Sequence, residues 1–286
     1  MRKLVGTLLL IVVLIFSFGL IGCVPKGDPS KVINDYYDNV KNENGEAAYN
    51  DLADTSKKNF KKEDFIKWQK AQDEYQTLKS VNIKKIGEYK NKTLDGNNYK
   101  NAIEFDINEK EHSNYDNKDM PVKYKRYVVN DNGQWKVYRE KENGKDVLAD
   151  SMVDLASMYG DGKGKEKDLN QAASILNEAA KISPKHNETY FALATIYCQL
   201  ERYDESINAA NKYINNANDT KNKSDIYNVL GVDYKGKKDY ESAKKYFNQA
   251  VQLNSNNQYA KTNLQGLSQE EQLENDEKEL DKLLDN

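Results

Sequence analysis

Histidine and cysteine are scarce in this 286-residue chain, with two of each, and that scarcity narrows the chemistry open to it. His112 falls in the polar stretch NEKEHSNYDNKDM and His186 in the turn SPKHN, settings that predict solvated side chains rather than catalytic ones. An excess of charge of one sign is also lacking. The net charge is −3, but Arg2 and Lys3 open the chain and eight acidic against two basic side chains crowd residues 268–286, which leaves 23–267 at +1. So balanced a body gives no support to nucleic-acid binding. The glycine-rich stretch GDGKGKEKD, 160–168, lacks the Gly-Lys-Ser/Thr ending of a phosphate loop. Read as a calcium loop from Asp161, it would set Lys163 and Lys165 where oxygen ligands belong. Glu104 and Asp106 alternate with Phe105 and Ile107, but no nucleophile and base accompany them. The chain is therefore expected to be no enzyme and to need neither metal nor cofactor.

What is present is a polar but foldable composition, 31% charged with 20 tyrosines; tyrosine can build a core while keeping a polar tip in water. The length leaves room for about two domains once a targeting segment is set aside. That segment is the start of the chain: Arg2 and Lys3, the apolar run Leu4 to Ile21, then Leu20-Ile21-Gly22-Cys23. About 18 apolar residues can also span a bilayer, but Gly6, Thr7, Ser17 and Gly19 interrupt this run. The segment resembles a bacterial lipobox. The resemblance implies a lipoprotein signal peptide over 1–22, cleavage after Gly22, a diacylglyceryl group on Cys23 with palmitate in the mature protein, and a tether over 23–28. On either reading the positive n-region stays inside. The rest of the chain is then expected at the extracytoplasmic face of the cell membrane, in the cell envelope. With Cys23 lipidated, Cys198 is the one thiol left and no intramolecular disulfide can form. Its setting, YFALATIYCQL, predicts a half-buried packing residue.

From Pro29 the spacing is helical. Val32, Ile33, Tyr36, Tyr37 and Val40 recur at three and four after the start signals Pro29 and Ser30; Glu46–Ala53 and KKEDFIKWQKAQDEY predict two more helices. Near residue 77 the period drops to two. SVNIKKIGEY, NYKNAIEFDINEK, VKYKRYVVN and QWKVYRE alternate apolar and polar, with Asp95-Gly96 and Asp131-Asn132-Gly133 as hairpin signals. Helices followed by a four-stranded antiparallel meander make an α+β domain over 29–141. Its order is similar to the nuclear-transport-factor-two-like fold, a curved sheet wrapped on helices.

Residues 147–267 repeat. YFALATIYCQLERYDESINAANKYI aligns with YNVLGVDYKGKKDYESAKKYFNQAV at an offset of about 37 residues, pairing Leu193 with Leu230, Ala194 with Gly231, Tyr197 with Tyr234 and Ser206 with Ala243. This resembles the tetratricopeptide repeat, a pair of antiparallel helices. Upstream, Leu155, Ala156, Tyr159, Ala172, Ala179 and Pro184 follow the same pattern with a longer turn, which is similar to the Sel-type repeat. Three units and a capping helix, with Tyr259, Ala260 and Leu264 facing the last unit, form an all-α array. The acidic stretch 268–286, with Leu273, Leu280, Leu283 and Leu284 on one side, predicts a helical tail.

The resemblance implies a concave face, lined by the first helix of each unit, that binds proteins or peptides. Carried over by position, the groove residues are Val153 and Ser157, then Glu188, Phe191 and Thr195, then Asp225, Asn228 and Val232. The Lys and Asn set with which some members clamp a terminal carboxylate is absent. A membrane-anchored adaptor with a protein or peptide partner is the expected function. A small-ligand carrier or sensor using the α+β cavity, and a cell-envelope enzyme, are the competing readings.

Overall fold

The computed structural model describes residues 25–140, 142–216 and 220–284; the apolar run, Gly22 and Cys23 lie outside them. The chain divides into two compact units. One takes the residues up to Asn59 with Ser80–Lys110 and Pro121–Lys141; the other takes Phe60–Lys79, Glu111–Met120 and the chain from Glu142 onward.

Among the described residues four helices precede the sheet: α1 (Pro29–Lys41), α2 (Gly45–Asn50), α3 (Asp54–Asn59) and α4 (Lys62–Tyr75). A sheet comes next, ordered β1 (Gln76–Leu94), β2 (Asn97–Ser113), β3 (Lys118–Asp131) and β4 (Gln134–Tyr138). The order is a meander because two of its turns need only two residues. Asp95-Gly96 and Asn132-Gly133 hold positive φ at both central positions, the backbone that matches the twist of paired strands. In the second hairpin Asp131 pairs with Gln134 and Val128 with Val137.

In the first unit α1 starts where Asp28 accepts a hydrogen bond from the Ser30 N–H and Pro29 sits in the first turn. It buries Ile33, Tyr36 and Tyr37. The residues after α2 run beside β4: the Val137 N–H donates to Asp51 O at 2.9 Å and the Ala53 N–H to Val137 O at 2.8 Å. Ala53, Tyr99, Ala102, Val129 and Tyr138 pack as one cluster. The helix α3, DTSKKN, has no apolar stripe and is not predicted by periodicity. Tertiary bonds hold it instead, as the Ser56 hydroxyl donates to Arg139 O and accepts from the Arg139 N–H, both at 2.9 Å.

In the second unit Phe60, Phe65 and Trp68 pack ring against ring. The polar stretch beyond Lys110, not expected as strand, is partly strand, for β2 continues to Ser113 and β3 starts at Lys118. Its turn is held by Asn114, whose N–H donates to Tyr75 O at 2.9 Å and whose side-chain amide donates to Glu74 O at 3.0 Å. Backbone bonding outweighs the missing apolar alternation there.

The helical array of the same unit comprises α5 (Gly144–Asp161), α6 (Leu169–Ile182), α7 (Asn187–Gln199), α8 (Tyr203–Asn216), α9 (Thr220–Gly236), α10 (Tyr240–Leu253) and α11 (Gln258–Leu284). α5 pairs with α6, α7 with α8 and α9 with α10. Small residues line the seams: Ala156, Ala172, Ala194, Ala210 and Ala243 are buried to 1% exposure or less. At Gly231 the approach is close. A methyl group there would stand 2.4 Å from the Phe247 ring, so the helix pair requires the missing side chain. α5 stops where Gly162 takes the left-handed conformation, φ 68°.

Candidate binding groove

The first helices of the first two pairs, α5 and α7, present Val153 and Ser157 and then Glu188, Phe191 and Thr195 to one groove, and α9 adds Asn222. Its volume is about 320 Å³. Helical spacing puts each set on one face, because positions three and four apart lie above one another. The floor is apolar, built by Ala156, Leu176, Ile196 and the ring of Tyr213. Phe191 is half-buried and meets Tyr213 edge to face at 5.6 Å between centroids. The Ser157 and Thr195 hydroxyls turn inward to their own helices. Ser157 donates to Val153 O at 3.0 Å and Thr195 to Phe191 O at 3.1 Å, which leaves them little to offer a ligand.

The third set, Asp225, Asn228 and Val232, does not reach this groove. α11 and the residue just before it engage all three. The Asn257 amide donates to Asp225 Oδ1 at 3.1 Å and to Ser224 Oγ at 2.9 Å. The Asn263 amide donates to Asn228 Oδ1 at 2.9 Å. Val232 packs on Ala243, Phe247 and Leu267. Position in the repeat does not reveal this, because it depends on the helix that caps the last pair. The capping helix itself also differs from expectation. Ala260 is fully buried and Leu264 packs on the last pair, but Tyr259 is 80% exposed and Leu267 fills the buried place.

His186, expected to be solvated, is buried at the start of α7. Its Nδ1 shares a hydrogen bond with Thr189 Oγ1 and its Nε2 one with Asp150 Oδ1, each 2.8 Å, and Glu188 Oε2 stands 3.6 Å away. Burial disfavours the imidazolium, yet the bond to Asp150 and the nearby carboxylates outweigh it and the pKa is raised. His112 makes an exposed pair with Asp119 at 2.8 Å.

Cys198 is half-buried, as its helical setting predicts, and has a neighbour that its own stretch does not contain. Burial, then the carboxylate of Asp233 from α9, push its thiol pKa far up, the opposite of what a nucleophile needs. Asp233 is fully buried. Its Oδ2 accepts from the Ser206 hydroxyl at 2.6 Å, Oδ1 has no hydrogen-bond partner, and burial raises its pKa to about 6. Ser206 stands where the aligned unit has Ala243, and its hydroxyl explains the difference.

Among the described residues no three His, Cys, Asp or Glu side chains cluster to hold a metal ion, and no helix is long and apolar enough to cross a membrane.

Tetratricopeptide repeat family models match residues 165–225 and 224–257. With the paired helices and their small-residue seams, these matches establish tetratricopeptide repeats in the second half of the chain, after the α+β region. No curated protein matches the chain. Among solved structures, the Arabidopsis OM64 TPR domain is 20% identical, with 43% of this chain and 96% of that one covered at a TM-score of 0.39. The first TPR of Spaghetti (RPAP3), bound to the HSP90 peptide SRMEEVD, is 18% identical over 42% and 90% at 0.38. The N-terminal domain of stress-induced protein-1 (STI-1) from C. elegans is 17% identical over 44% and 99% at 0.39.

Proposed function

We propose that this protein is a lipid-anchored, extracytoplasmic adaptor, without catalytic activity of its own, that holds a protein or peptide segment in the groove between α5 and α7. The observation that carries the reading is the groove itself, where Phe191 presents ring surface beside Val153 and Ile196. A concave, mostly apolar cleft of this size is the usual form of a binding site. The anchor is supported by the sequence Leu20-Ile21-Gly22-Cys23 behind a basic start and an apolar run. The absence of catalysis is supported by the state of the candidate groups: the Cys198 thiol is masked by burial and a carboxylate, and both nitrogens of His186 are occupied. The α+β region, which we liken to the nuclear-transport-factor-two-like fold, serves as a spacer or second surface.

Two variants test this. Cys23→Ala should leave the precursor uncut, while the wild type labels with palmitate and enters the detergent phase; an alanine variant processed and retained like the wild type would remove the anchor. Phe191→Ala should abolish binding of apolar peptides while the melting temperature stays within a few degrees. A variant that unfolds, or that binds unchanged, would remove the groove.

A further inference from the structure

The groove has a charge sign as well as a shape. Of its described lining side chains, the carboxylic acids are Asp161 on α5 and Glu188 on α7, and none is Lys or Arg. Asp150 and Asp154 lie on the same side of α5 as Asp161, separated from it by whole turns. The side chains of Asp150 and Glu188 are about two-thirds exposed, at 62% and 67%, so they face the solvent through which a ligand arrives. The carboxylates crowd one another: burial and then the charge of Asp150 raise the pKa of Asp154. His186 stands between Asp150 and Glu188, and Asp161 accepts from the Tyr115 hydroxyl, which Lys163 in turn approaches at 3.4 Å.

We propose that the groove selects a cationic peptide segment, with one or two apolar side chains on the floor formed by Leu176, Phe191 and Tyr213 and a flanking Lys or Arg directed to Glu188 or Asp161. The proposal rests on the reading of the groove as a binding site. Its volume, about 320 Å³, lies at the small end of ligand pockets and matches a short apolar segment rather than a long helix. An acidic or free-carboxylate ligand would meet the carboxylates of Asp161 and Glu188 with no Lys or Arg among the described lining residues to answer it, and like charges brought together suppress the wrong partner. The same argument excludes the chain's own tail, since residues 268–286 carry eight acidic against two basic side chains.

The test uses the full chain in non-ionic detergent and a panel of blocked heptapeptides that share varied apolar centres and differ only in flanks of Lys, Gln or Glu, with binding read by calorimetry. The lysine set should bind tightest, the glutamine set more weakly and the glutamate set weakest, with the lysine advantage shrinking as salt rises. Glu188→Gln and Asp161→Asn should each weaken the lysine peptides by about two- to five-fold, the size of an exposed ion pair, and leave the glutamine peptides unchanged. Phe191→Ala should weaken all three sets. If the three sets bind equally and Phe191→Ala still weakens them, the groove stands and the charge selection is overturned. Tightest binding by the glutamate set overturns it too. If no set binds a chain whose helical circular dichroism is intact, the groove reading falls and the selection with it.

Discussion

The helical array and the sheet of the first unit draw on the same polar composition, and they bury it differently. In the array, alanine and glycine bring helices close enough for a few large rings to fill the seams, as Phe247 does against Gly231. In the sheet, tyrosines supply the bulk and their hydroxyls reach carboxylates: Tyr89 and Tyr127 donate to Glu104 at 2.5 and 2.9 Å, and Tyr124 donates to Glu109 at 2.6 Å while sharing a 2.7 Å bond with Tyr37. The sheet thus gives its acids partners, whereas the array contains Asp233 with one oxygen unpartnered. In the array the Ser206 hydroxyl answers one oxygen of Asp233, while in the sheet tyrosines on neighbouring strands reach the carboxylates across the face.

Removing the ring that fills an array seam should have the largest effect. Phe247→Ala is expected to lower stability by about 3–5 kcal/mol, as large-to-small core changes do, read by urea unfolding. A loss below about 1 kcal/mol would mean that the seam does not depend on that ring. Next is the buried acid of the array. Asp233 holds its proton up to about pH 6 in the folded chain, against an ordinary value of 3.8. The native state therefore binds more protons between these values, and stability falls as pH rises through that window. Asp233→Asn should be more stable than wild type by about 1–3 kcal/mol near pH 8, with the gain vanishing near about pH 4. A variant destabilised at both pH values would show that the carboxylate is needed there.

For the sheet the sign reverses. The Tyr89 hydrogen bond, with those of Tyr127 and Lys125, lowers the Glu104 pKa against the opposing effect of burial. That stabilisation is present above the ordinary carboxylate value and is lost as pH falls through the folded one. Glu104→Gln should cost about 1–2 kcal/mol near neutrality and nothing in acid; a gap that persists in acid would refute the charge-assisted account. The smallest effect is expected at His186, whose raised pKa makes its contribution full below the ordinary histidine value and lost as pH rises through the folded one. His186→Asn should fall short of wild type by about 0.5–1 kcal/mol near pH 6 and by less near pH 9. Thermal melts at the two pH values decide it.

Sequence patterns reveal the parts of this chain that repeat or alternate. Period two exposes the strands, Asp95-Gly96 and Asn132-Gly133 expose their turns, and the 37-residue offset exposes the helix pairs. What stays hidden depends on partners distant in sequence. The polar helix α3 is bonded to Arg139, Asn114 anchors the turn between β2 and β3, and His186 is buried because Asp150, 36 residues earlier, meets it. Of the groove residues, Val153, Ser157, Glu188, Phe191 and Thr195 lie together, while Asp225, Asn228 and Val232 are engaged by a helix whose role periodicity alone does not disclose.

The bonds of Asn257 and Asn263 to α9 have a kinetic consequence. They leave Asn222 as the described α9 residue in the groove, so a ligand would touch a short patch, at the small end of specific interfaces. At a Kd of about 1 μM and association at about 10⁶ M⁻¹s⁻¹, a bound segment would leave within about a second. On the proposed reading, lasting attachment would need several grooves acting at once, as lipid-anchored copies on one surface would supply.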